Sequence, residues 1–269
     1  MHLWGFGSRG VSYGNEPLAY DSLIEFVQRR LDIPKGKTCS LHKRLFENLQ
    51  PTDTILTLNY DLIADRALFE IEKDPEKGKL PQDSRMGKLQ ALLSELRIFA
   101  ESPPSLIPRE QETGFYIKLH GSLDWLYCPT AGCRNNTNLF AVESSAFPEQ
   151  IEGNPCRFCG TAVKSFIIPP VATKRLEDRG RMAFLWNLAL RELIQARHIV
   201  LIGLSLAPSD FELRWLIRQA VEIRAEHFLS VEIVNKNEVH RKQSKDVFPG
   251  NSISIIEYES IENFLNQAT

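Results

Sequence analysis

The sequence predicts an α/β protein: a mostly parallel sheet with helices on both faces, plus a small inserted module built on cysteines. Three observations carry this. Short apolar runs alternate with amphipathic helical stretches, the pattern of βαβ units. The run from His198 to Ile202 is almost continuously apolar, as a strand buried on both faces of a parallel sheet must be. Four of the five cysteines fall in two close pairs between residues 128 and 159.

In chain order, residues 1–17 are glycine-rich and irregular. They contain Gly5-Phe6-Gly7-Ser8-Arg9-Gly10, a G-x-G-x-x-G string. Almost no strand can precede it, so it reads as a loose terminus. Leu18, Leu23, Ile24, Phe26, Val27 and Leu31 have helical spacing, and the Pro34–Lys37 stretch ends that helix. A short helix over 40–48 precedes a strand over 54–58, which is bounded by Pro51 and Asp53. Asn59-Tyr60-Asp61 stands at the strand's end, before a helix over 62–71. The charged residues 72–87 read as an exposed loop. A helix over 88–100 and a Pro-rich stretch lead to the strand at 115–119. That strand ends at His120-Gly121-Ser122, and Asp124-Trp125 reads as packing and a turn. After the cysteine segment, Phe166-Ile167-Ile168-Pro169-Pro170 returns the chain to the main body. An amphipathic helix over 181–196 and the strand at 198–202 follow. Ser209-Asp210-Phe211-Glu212 then has the form of a capping box opening a helix to about Arg224. Strands at 228–234 and 253–258, each followed by a helix, complete the order. Residues 1–125 and 165–269 make the main domain, and 126–164 the insertion.

Charge and composition narrow the function. Lys+Arg 32 against Asp+Glu 34 gives a net charge of -2, which argues against a nucleic-acid partner. No run of ~18 apolar residues exists to span a membrane as a helix. Met1–Gly7 lacks the basic and apolar regions of a signal peptide. Five cysteines, an odd number, argue against a disulfide framework and for a metal site with Cys39 left over. Together these features point to the cytoplasm.

Cys128 and Cys133 form C-x4-C, and Cys156 and Cys159 form C-x2-C followed by Gly160. Two such knuckles can surround one Zn²⁺ tetrahedrally, and four thiolates leave no open position, so the metal is structural. In parallel sheets ligands sit at the carboxyl ends of strands, where Asn59, Asp61, His120, Gly203, Ser205 and Asn235 all fall. Asn59 and Asp61 either face a cleft or cap the next helix. His120, with an imidazole titrating near ~6.5, is a candidate general base or a satisfied core histidine. Gly121 allows close backbone approach or a positive φ. Gly203-Leu204-Ser205 offers amides and a hydroxyl to phosphate, or makes a tight turn. Asn235 holds a ribose or caps a helix.

These elements resemble the sirtuin (Sir2) superfamily, specifically its bacterial SIR2-like branch. Thr57-Leu58-Asn59-Tyr60-Asp61 is similar to the T-Q-N-I-D element, and Leu119-His120-Gly121-Ser122 to the catalytic histidine-glycine element. The paired cysteines follow His120 as the family's zinc ribbon does. Gly203-Leu204-Ser205-Leu206 is similar to G-T-S-L, and Val234-Asn235 to I-N. A clear N-terminal G-A-G-x-S element is lacking, and Leu58 stands where sirtuins carry Gln.

The resemblance implies a Rossmann-like domain that takes NAD⁺ as substrate, with an inserted zinc ribbon. Asn59 and Asp61 would face the nicotinamide and its ribose, and His120 would act as the base. Gly121 would lie beside the cofactor, while Gly203, Ser205 and Asn235 would hold the phosphates and adenosine ribose. The N-Y-D form and the His-Gly-Ser-Leu-Asp-Trp context resemble NAD⁺ hydrolases of bacterial antiviral defence, which release ADP-ribose and nicotinamide. The alternatives are an NAD-dependent protein-lysine deacylase and a non-catalytic nucleotide-binding or assembly module, which the missing Gly-rich loop favours. The expected partners are NAD⁺ or an ADP-ribose-like nucleotide, with room for a protein partner or a homo-oligomer.

Overall fold

A computed structural model describes residues 38–94, 114–133, 140–141, 154–168, 176–207, 210–224, 229–250 and 253–267. All of them lie within a unit spanning Ile33–Thr269. The glycine string at 5–10 and the helix expected over 18–31 lie outside the described residues.

Strands β1 (Ile55–Thr57) and β2 (Tyr116–Lys118) are parallel neighbours, with Ile55 opposite Tyr116 and Thr57 opposite Lys118. Backbone bonds from Ile55 N to Phe115 O (2.7 Å) and from Leu119 N to Thr57 O (2.9 Å) extend the ladder at both ends. The two strands therefore finish in step. Asn59 and His120 each stand two residues beyond the last paired residue.

Helix α1 (Ser40–Glu47) buries Phe46, and its Leu41 and Leu45 pack with Val234, Phe264 and Leu265. Helix α2 (Ile63–Glu72) buries Ala64, Ala67 and Leu68 on one stripe, and Asp65 with them. Helix α3 (Arg85–Ser94) buries Met86, Leu89 and Leu93 at helical spacing. Charged 72–87 does not run as loop throughout: Glu72 ends α2 and Arg85 begins α3. Arg85 is buried, the Glu72 side chain nearly so, and they pair at 3.1 Å, and Arg85 also donates to the Asp53 and Gln50 carbonyls. A guanidinium can be buried here because each of its three nitrogens finds an acceptor.

The turn expected at Asp124-Trp125 is instead part of strand β3 (Gly121–Tyr127), in which Trp125 is buried. The strand escapes sequence reading because both faces are covered, so it shows no alternation. It pairs antiparallel with β4 (Phe140–Ala141) and β5 (Lys164–Ile167). Ser122 faces Phe166 and Leu126 faces Ser165, so Leu123, Asp124 and Trp125 bulge between consecutive partners on β5. Such bulges bend a strand and re-aim side chains.

The remaining elements follow the predicted order: α4 (Leu176–Gln195), β6 (His198–Ile202), α5 (Phe211–Ile223), β7 (Leu229–Val234), α6 (Glu238–Lys245), β8 (Ile253–Tyr258) and α7 (Ile261–Gln267). β6, β7 and β8 form a parallel sheet in that order. Helix α6 is capped by Asn237, whose Oδ1 accepts from Val239 N at 2.9 Å. At the start of α5, Asp210 makes no side-chain cap bond, because its carboxylate accepts from Ser205 Oγ at 3.2 Å. Ser209 of the expected capping box lies outside the described residues.

The architecture is mixed α/β, as predicted. Parallel pairing is divided between β1–β2 and β6–β7–β8, and the antiparallel β4–β3–β5 sheet is a third piece. One core joins the parallel pieces and α4: Leu68, Ile117, Leu185, Leu201 and Val231 belong to a single buried cluster. Among the described residues no helix is long and apolar enough to cross a membrane.

Candidate functional site

The common end of β1 and β2 brings Asn59, Asp61, His120 and Gly121 together. The Tyr60 and His120 rings stack with centroids 6.3 Å apart, and Trp186 from α4 lies 6.2 Å from His120 on a tilted plane. Trp186 is held by its Nε1, which donates to Leu119 O at 3.1 Å. Tyr60 is held by its hydroxyl, which donates to Ile168 O at 2.9 Å, and burial pushes the phenol up to about 12. His120 is half-buried between these aromatic rings, while Asn59 is exposed.

Asp61 is committed locally: its Oδ1 accepts from Ile63 N at 2.9 Å, an Asx turn that opens α2. The freedom of Gly121 is used for the sheet. Its φ is +81°, and a Cβ there would meet Phe166 O at 2.4 Å. The close approach it permits is thus to the backbone of β5.

Beneath this loop lies a charged cluster that sequence reading missed. Lys118 is completely buried, and its ammonium sits 2.7 Å from Asp65 Oδ2 while donating to Asp61 O at 2.8 Å. The Tyr116 hydroxyl donates to the same Asp65 oxygen at 3.0 Å. Tyr116 and Lys118 alternate with Ile117, so they share the face of β2 turned to α2. The bulge of β3 adds Asp124, whose Oδ1 is buried without a hydrogen-bond partner among the described residues. Burial first and the Asp65 charge second push the Asp124 carboxyl up to about 6, against the opposing pull of Lys118. The one available signal in the sequence was a lysine inside the apolar run Phe115–Leu119.

Across from this, Gly203, Ser205 and Asn235 meet where β6 and β7 end. Gly203 N donates to Val234 O at 2.9 Å, and its φ of +70° is one that glycine adopts without strain. Asn235 is buried and fully used: Nδ2 donates to Leu204 O at 2.8 Å, and Oδ1 accepts from Asn237 N at 2.9 Å. It ties two strand-end loops together. An apolar cleft of about 270 Å³ is lined by Ile168, Met182, Trp186, Phe211 and Trp215 among others, so that Trp186 borders both the cleft and the His120 ring. Phe211 and Trp215 are exposed.

His42 on α1 was also missed. Its Nδ1 is buried without a hydrogen-bond partner among the described residues. Burial lowers its pKa, and the Asp61 charge raises it.

The four paired cysteines converge as predicted. Their sulfurs all lie within 4.8 Å of one another. Cys128 Sγ is 3.4 Å from Cys159 Sγ, and Cys133 Sγ is 3.7 Å from Cys156 Sγ. A tetrahedron with Zn–S near ~2.3 Å has an edge of about 3.8 Å, so the set fits one Zn²⁺ and is too wide for disulfides. Backbone N–H groups favour the thiolates: the Phe158 amide lowers the Cys156 thiol, and the Thr161 amide lowers Cys159 to about 6. With all four positions filled by sulfur, the metal these residues could hold is a structural one. Cys39 stands apart, half-buried before α1.

No family model matches this chain, and no curated protein matches it. Among solved structures it is similar to Sir2 in complex with the inhibitor EX-527, 2'-O-acetyl-ADP-ribose and a deacetylated p53 peptide. The identity there is 15%, over 95% of this chain and 79% of that one, with a TM-score of 0.46. It is also similar to Sir2 with a p53 peptide and NAD⁺, at 14% identity, over 98% of this chain and 83% of that one, with a TM-score of 0.46.

Proposed function

We propose that this chain is a SIR2-like NAD⁺ hydrolase that binds the dinucleotide across the carboxyl ends of its parallel strands. One observation carries the reading. Asn59-Tyr60-Asp61 and His120 end two adjacent parallel strands in step, and the Tyr60 and His120 rings are in contact. That is where parallel sheets bind ligands, and it joins the motifs in the order in which they resemble the family.

In this reading Asn59 and the Asp61 loop hydrogen-bond the nicotinamide and its ribose. The bond from ribose C1' to the nicotinamide nitrogen breaks, and its electron pair leaves with nicotinamide. Water adds to C1', and the proton released passes through His120, acting as the base, to solvent. Gly203 and Ser205 bind the phosphates, and Asn235 fixes their loop. Residues 126–164 form a module that Zn²⁺ stabilises through Cys128, Cys133, Cys156 and Cys159. The N-Y-D and His-Gly-Ser-Leu-Asp-Trp contexts support a place among defence-type hydrolases.

A second reading, a protein-lysine deacylase, is favoured by the apolar cleft lined by Trp186, the ring next to His120, which suits an aliphatic acyl chain. Chromatography of products separates the two. Nicotinamide and ADP-ribose from NAD⁺ alone mark a hydrolase. O-acetyl-ADP-ribose formed only with an acetylated peptide marks a deacylase. No nicotinamide at enzyme levels near the substrate, with ADP-ribose still bound, removes catalysis and leaves a binding module.

A further inference from the structure

We propose that Lys118 is a positioning residue, which ties the Asn59–Asp61 loop to the strand carrying His120 so that the two parts of the site hold one geometry. The inference rests on the site proposed above and adds a residue to it. Lys118 stands two positions before His120 on β2, and its side chain is wholly buried. Its ammonium donates to Asp61 O at 2.8 Å and pairs with Asp65 Oδ2 at 2.7 Å. One charge therefore grips the loop after β1 and the first turn of α2 from a neighbouring strand.

The other bonds of Asn59 and Asp61 are local. Asn59 N donates to Thr57 Oγ1 at 3.1 Å, and Asp61 Oδ1 accepts from Ile63 N at 2.9 Å. Among the described residues, further ties across to other elements act at Tyr60, whose carbonyl accepts from Leu123 N at 3.0 Å and from Ser122 Oγ at 3.5 Å and whose hydroxyl donates to Ile168 O. Lys118 supplies the charge-assisted tie, stronger than a neutral bond. Stability alone does not call for it, because replacing a buried ion pair with apolar groups is often neutral or stabilising. What a buried ammonium provides that a leucine cannot is a fixed donor aimed at one carbonyl.

Lys118→Met alone would leave Asp65 buried without its partner, so the test uses the doubly neutral variant Lys118→Met/Asp65→Asn. Two readouts are compared with wild type: amide hydrogen exchange, and kcat and KM for NAD⁺. The proposal expects Asn59–Leu62 amides to exchange at least tenfold faster while β6–β8 keeps its protection. It also expects kcat to fall at least tenfold with KM changed by less than threefold. Unchanged protection at Asn59–Leu62 in the folded variant overturns it. So does loss of protection throughout, β6–β8 included, which would make the pair a core-stability element. A loosened loop with unaltered kcat overturns it as well. If wild type proves inactive on NAD⁺, the hydrolase reading fails, and hydrogen exchange still decides whether Lys118 ties the loop.

Discussion

Replacing Asp124 with asparagine should remove a pH dependence from the stability of this protein. The Asp124 carboxyl is pushed from its ordinary 3.8 up to about 6, chiefly by burial. The folded state therefore favours the protonated acid. Below pH 4 both folded and unfolded chains carry the proton, and the contribution is fully present. Between pH 4 and about 6 the unfolded chain releases its proton first, so stability is lost as pH rises through the folded value. At 1.36 kcal/mol per pH unit the loss is about 3 kcal/mol. An asparagine amide carries no such proton. The difference in unfolding free energy between Asp124→Asn and wild type should therefore move by about 3 kcal/mol in favour of the variant from pH 3 to pH 7.5. Urea unfolding at several pH values measures it. Metal release in acid acts on both proteins and cancels in the difference. A difference that stays constant across this range would refute a protonated Asp124 and the cluster electrostatics behind it.

Further outcomes are expected elsewhere. His120→Ala should reduce NAD⁺ cleavage by at least the ~10²-fold typical of a lost general base, with the urea midpoint nearly unchanged; preserved turnover removes His120 from that role. Metal analysis of purified protein should find one zinc per chain. Cys156→Ser should lose the metal and expose the module to proteolysis, since structural zinc contributes folding energy directly; full metal content in that variant would refute the four-sulfur site. Gly121→Ala should destabilise by about 2 kcal/mol or more, as its φ of +81° is strained for alanine and its Cβ would strike Phe166 O. A thermal midpoint equal to wild type would show that the β2–β3 turn relaxes freely.

What the sequence revealed follows periodicity and spacing. The strands over 198–202 and 228–234 were recognisable as apolar runs bounded by breakers, but the burial expected on both faces of 198–202 is not found: Ile199 and Leu201 are buried while His198 and Ile202 are exposed, because β6 stands at the end of the β6–β7–β8 order and one face stays open. The cysteine cluster was legible because thiolate knuckles have fixed spacings. Strand β3 was not, since the bulge at Leu123–Trp125 breaks any alternation and its partner on β5 lies some forty residues away. The Lys118–Asp65 pair was hidden for the same reason. Each residue alone looks like a surface charge, and only the register of β1 with β2 and the packing of α2 bring them together. Asn235 was located correctly at a strand end, but its two side-chain bonds to neighbouring loops depend on the turn after β6. No linear motif encodes that contact.

The antiparallel stem has a topological consequence. Tyr127 and Lys164 lie directly opposite each other on β3 and β5, about one strand spacing apart. A two-residue hairpin could close the chain at that point. The cysteine-bearing stretches 128–133 and 154–163 leave and rejoin the stem at this clasp, while Phe140–Ala141 pairs back onto Trp125 and Leu126. Changes confined to those two stretches leave the pairings β1–β2 and β6–β7–β8 untouched. They are therefore a place where the protein can change in size and outward surface while the ends of its parallel strands stay as they are.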